Sequence, residues 1–70
     1  MAATTLLMPP NRDTVPGLAQ RLREAREAAG LTQIEAGEQS GVHHVNIAKF
    51  ETERATPTVR VLLMLAEAYG

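Results

Sequence analysis

Two adjacent histidines, His43 and His44, are the side chains in this sequence best equipped for chemistry. An imidazole can ligate a metal, move a proton, or hydrogen-bond to a phosphate or a base edge. Metal ligation is not expected. Neighbouring residues on a helix point about 100° apart, no third ligand stands at a matching spacing, and the chain has no cysteine. Nucleophilic catalysis is not expected either. Thr32 and Ser40 carry hydroxyls, but no base–acid set is arranged around them, and 70 residues leave little room for a pocket. No catalytic residue, cofactor or metal is therefore assigned. What remains is polar recognition, to which both imidazoles are suited.

Composition narrows the class of protein. The chain is one small domain at most, 44% hydrophobic but only 3% aromatic, with Phe50 and Tyr69 as its aromatics. Without cysteine no disulfide can help, so an aliphatic core must carry stability. The net charge of −1 gives no basic surplus for binding a polyanion. Residues 1–10 are apolar but short, lack a basic start and are broken by Pro9 and Pro10, so they do not read as a signal peptide. A cytoplasmic protein with no membrane span is expected.

The elements that must position these side chains follow from spacing. Residues 1–13 read as a flexible tail, with Leu6, Leu7 and Met8 as its apolar part, and the domain spans residues 14–70. A first helix is expected over residues 15–29, capped by Thr14, with Pro16 in its first turn. Its apolar stripe is Leu18, Leu22, Ala25 and Ala29, and Gly30 supplies a left-handed stop. Thr32 followed by Glu35 is a capping box that starts a second helix, which Gly41 ends after Ser40. A third helix covers residues 43–52 with Ile47 and Phe50 inward. A fourth, capped by Thr58, covers residues 59–69. Val42, Ile47 and Phe50, completed by Leu22, Leu62 and Leu65, form the expected core. Gly37 sits where the second and third helices cross closely. The fold is all-α, a compact bundle of four short helices.

Two short helices joined by a Gly-containing turn make a helix-turn-helix. The residues Gly30-Leu31-Thr32-Gln33, Glu35, Gly41-Val42, Ile47-Ala48-Lys49-Phe50-Glu51 and Pro57-Thr58 resemble the XRE-type helix-turn-helix family of phage Cro and repressor proteins. The resemblance runs from about Leu18 to Gly70. It implies a lambda-repressor-like domain that binds double-stranded DNA of palindromic sequence as a homodimer and regulates transcription. The third helix would enter the major groove with His44, Val45 and Lys49 at base edges. Gln33, His43, Asn46, Thr52 and Arg54 would contact phosphates, with an N-cap as the alternative role for His43. Arg26 and Glu51 would form a partly buried structural ion pair.

The sequence departs from the family in three places. Glu53 stands where glycine often closes the third helix, the loop after it is not basic, and Ala36 and Ser40 replace larger apolar residues. The fourth helix is apolar nearly all round. The family has a fifth helix at this point, and the chain stops before one could form. Leu63, Met64 and Tyr69 are therefore expected to face either that helix or a second copy of the chain. A protein-interaction module of adaptor or antitoxin type on the same fold is the alternative function.

Overall fold

A computed structural model describes residues 15–70. The expected tail and the Thr14 cap lie outside the described residues. Four helices and no strand occur among those described: α1 (Leu18–Ala28), α2 (Gln33–Ser40), α3 (His44–Glu51) and α4 (Val59–Tyr69). None is long and apolar enough to cross a membrane.

The first helix starts three residues later than its periodicity predicts. Pro16 and Gly17 are the central residues of a turn closed by the Leu18 amide donating to the Val15 carbonyl at 3.0 Å, and Gly17 has φ 83°. Proline followed by a left-handed glycine is the signature of a type II turn, and it keeps the chain out of the helix until Leu18. α1 ends as expected, through a two-bond C-terminal closure. The Gly30 amide donates to Glu27 and the Leu31 amide to Arg26, with Gly30 at φ 76°. This is a Schellman motif, and glycine takes the left-handed position without a Cβ clash. The apolar stripe is rotated from the expected one. Ala19 is buried and Leu18 and Leu22 are half-buried, whereas Ala25 and Ala29 are exposed.

α2 begins on a complete capping box. The Thr32 hydroxyl accepts from the Glu35 amide at 3.1 Å, and the Glu35 carboxylate accepts from the Thr32 amide at 2.9 Å. At its other end Ser40 Oγ accepts from the Val42 amide at 3.1 Å, so the polar residue serves the turn rather than the core. α3 crosses α2 at Gly37, where an added Cβ would lie 2.9 Å from the Val42 carbonyl oxygen. Only a residue without a side chain lets the two helices approach this closely. α3 closes with the same two-bond motif as α1, the Glu53 amide donating to Phe50 and the Arg54 amide to Lys49. Here Glu53 itself takes the left-handed position, at φ 62°. α4 starts where Thr58 Oγ1 accepts from the Val61 amide at 3.2 Å.

The core lies between α2, α3 and α4. Ala36, Val42, Ile47, Phe50 and Leu65 are buried, and Leu22, Leu31, Val61 and Met64 pack around them. Ile47 and Leu65 are its two largest fully enclosed side chains, each 1% exposed. Leu62 is half-buried, because it lines an open apolar groove of about 560 Å³ between α1 and α4. Leu63 and Tyr69 line the same groove. Met64 does not. It packs against the buried cluster near Gly41, because α4 turns this side chain toward α2. The Tyr69 hydroxyl is buried without a hydrogen-bond partner among the described residues, and burial, with the charge of Glu51, pushes its acidity down.

Candidate nucleic-acid interface

The outer face of α3 is held in place from its inner face. Arg26 on α1 grips Glu51, the last residue of α3, through two bonds: Nε to Oε2 at 2.7 Å and a terminal guanidinium nitrogen to Oε1 at 3.0 Å. Such a planar fork fixes orientation as well as distance. The third guanidinium nitrogen donates to the Leu31 carbonyl at 2.8 Å, beyond the end of α1. Gln33 Nε2, at the start of α2, adds a bond to Glu51 Oε1 at 3.1 Å. The Glu51 side chain is only 1% exposed and that of Arg26 11%. Burial alone would push the Glu51 carboxyl up. The hydrogen bonds from Arg26 and Gln33, with the charges of Arg26 and Arg23, outweigh it and hold the group below the usual carboxylate range. The same contact raises Arg26. Three helices therefore meet at one satisfied ion pair, at the two positions the family resemblance implies.

Gln33, expected at a phosphate, donates from its side-chain amide nitrogen to Glu51, a partner 18 positions away, and that nitrogen carries a second N–H. The start of α2 also already holds a carboxylate, that of Glu35, on the Thr32 amide. An anion in that position uses the favourable end of the helix dipole that a phosphate would otherwise use.

His43 caps α3, its Nδ1 accepting from the Val45 amide at 3.1 Å. The His43 and His44 rings stack with centroids 4.7 Å apart. His44 is half-buried, and together with His43 it borders a depression shared with Ile34 and Glu38 of α2. Val45, Lys49, Thr52 and Arg54 come together elsewhere, around a second depression of about 280 Å³ that also includes Ala48. Their spacing of three and four residues puts Val45, Ala48, Lys49 and Thr52 on one helix face. Asn46 is exposed but borders neither depression. Most of the predicted contact residues on and beside α3 thus fall into two groups, the histidines at its N-terminal end and Val45, Lys49, Thr52 and Arg54 along one face and past its C-terminus.

Ala48 lines the second depression too, as its outward position three residues after Val45 implies. One participant escaped the reading of the sequence. Arg23 donates to the Glu51 carbonyl at 3.4 Å, a contact that no local spacing reveals.

A family model described as a helix-turn-helix domain matches residues 17–70. The chain is 38% identical over 53 residues to the HTH-type transcriptional regulator ImmR of Bacillus subtilis, covering 76% of this chain and 42% of that protein. It is 39% identical over 56 residues to the HTH-type transcriptional regulator PuuR of Escherichia coli, covering 77% of this chain and 30% of that protein. It therefore spans less than half the length of either relative. No solved structure matches. With four helices, a glycine turn between α2 and α3, and a family match over three quarters of its length, the chain belongs to the helix-turn-helix domain family.

Proposed function

We propose that this domain is the sequence-specific DNA-binding part of a transcriptional regulator, with α3 as the helix that enters the major groove. One observation carries the reading. α3 buries Ile47, Phe50 and Glu51 on its inner side while Val45, Lys49, Thr52 and Arg54 gather on its outer side. The names of ImmR and PuuR support it. Lys49 and Arg54 would supply donors to guanine edges and phosphates, with His44 at the N-terminal end of the helix. No chemical step is assigned to the domain, and a cytoplasmic location suits a DNA-binding regulator.

The groove between α1 and α4 favours a second element of the proposal, a homodimer on a palindromic site. Leu63 is 63% exposed at the groove, and two copies joined across such faces would present two α3 helices to successive major grooves. The groove equally suits a protein partner for an adaptor, the alternative function.

Selection of bound sequences from a random duplex pool tests the proposal. Enrichment of a palindrome supports both parts, and enrichment of an asymmetric site removes the dimer. If no duplex is enriched and binding to random duplex does not weaken with added salt, the adaptor reading replaces the DNA-binding one.

A further inference from the structure

α3 opens on a histidine rather than on a hydroxyl or a carboxylate. His43 holds the N-cap through its ring, with Nδ1 accepting from the Val45 amide at 3.1 Å. An imidazole has an acceptor nitrogen only while it is neutral, and with Nδ1 accepting, its one ring proton sits on Nε2. His43 is exposed, so a proton from solvent reaches the ring without any opening of the fold. His44 stacks on it, with centroids 4.7 Å apart and ring planes at 21°. Among the described residues, Glu38 on α2 is the carboxylate that borders the same depression, and it is exposed. The first turn of α3 holds no acidic side chain.

We infer that His43 makes the start of α3 sensitive to pH, ordered while the ring is neutral and released when it is protonated. Three effects act in the same direction. Protonation turns Nδ1 from an acceptor into a donor, so the bond from the Val45 amide is lost. It also places a positive charge at a helix N-terminus, where the free N–H groups already carry partial positive charge. A second proton, on His44, puts two like charges in stacked rings. Glu38 acts against all three by favouring the charged rings, but a carboxylate in open solvent contributes little. The unfolded chain takes up these protons without losing a bond, whereas the capped helix loses one. Stability therefore rises with pH through the imidazole range and is lost below it. His44 and Val45 are the first residues of the turn that His43 caps. On the DNA-binding reading proposed above, on which this consequence rests, acid loosens the groove-entering end of α3 and weakens binding. Imidazoles that contact phosphates would have the opposite effect.

A pH series on the full chain provides the test. Urea unfolding followed by circular dichroism should show the folding equilibrium constant falling about five-fold from about pH 8 to about pH 5.5, the fold-change of one lost N-cap over the range where imidazoles titrate. His43→Ser keeps an acceptor that does not titrate, so it should match the wild type at the upper pH and lose the step. His44→Gln should keep the step. Nitrogen-15 NMR reads the ring itself: neutral His43 should carry its proton on Nε2, and the Val45 amide resonance should move with the same midpoint as the ring. A wild type without the step, a step unchanged in His43→Ser or abolished by His44→Gln, or a neutral ring protonated on Nδ1 overturns the inference. Affinity for the duplex enriched from a random pool should fall over the same interval and stay level in His43→Ser. Affinity that rises in acid instead puts His43 on a phosphate and overturns the release of α3. Absence of salt-dependent duplex binding at every pH removes the DNA-binding reading, while the step in stability stands.

Discussion

Glu51 is a carboxylate taken almost wholly out of water, and its neighbours decide whether that helps or harms. With Arg26 and Gln33 in place both carboxylate oxygens are hydrogen-bonded, Oε2 once and Oε1 twice. Without Arg26 a charge stays buried and unpaired, which costs about 3–5 kcal/mol. The total stability of a domain this small is of the same order. Arg26→Ala should therefore be largely unfolded at 25 °C, as read by circular dichroism. Joint replacement by Arg26→Met and Glu51→Leu should restore most of the helix signal. Acid acts on the same pair. The Glu51 carboxyl is held below its ordinary value in the folded state, so its contribution is complete at neutral pH and is lost as pH falls through the carboxylate range. Urea midpoints should drop between pH 5 and pH 3, and less so in Glu51→Gln, which has no proton to take up there. The pair itself was legible through the family resemblance, not through spacing, since 25 residues separate the partners. Gln33 was not legible. An amide at a helix start suits a phosphate and a buried carboxylate equally, and only the folded chain brings Glu51 to it.

The helix ends were readable because their chemistry is local. Thr32 with Glu35, Thr58, Gly30 and Gly41 each act within four residues of their own position, and all four occur as the sequence predicts. The start of α1 was misread because proline fits both a helical first turn and a type II turn. Gly17, the next residue, decides for the turn. The stripe on α1 was misread because alanine is apolar enough to fit either side, so the neighbouring helices set the rotation. Glu53 marks a conflict of another kind. Its position in the α3 closure requires φ 62°, and a residue with a Cβ pays about 1–2 kcal/mol for it. Glycine would remove that strain but has more freedom to lose on folding. Glu53→Gly should thus stabilise the domain by a net ~0.5–1 kcal/mol, seen as a rise of several degrees in the thermal midpoint.

Charge belongs to the whole molecule. The near balance of 7 basic and 8 acidic residues means that no broad positive field assists the interface, and the cations that count are those placed on it. Lys49 and Arg54 are two such groups. Each phosphate neutralised contributes about −0.9 to the slope of log affinity against log salt, so a bound domain should show a slope of roughly −2. Lys49→Ala should bring it to roughly −1 if that lysine meets a phosphate. The paucity of cations was plain from composition. Their grouping at one end of α3, apart from the histidines, came only with the fold. The grip of Arg26 on Glu51 has a dynamic counterpart at this scale. It joins the end of α3 to α1 and to the start of α2, so α3 cannot fray alone. Its amides should exchange with deuterium only in openings that also release α1. A helix so tethered is already ordered, and if α3 is the element that enters DNA as proposed, association carries no entropy penalty for folding it.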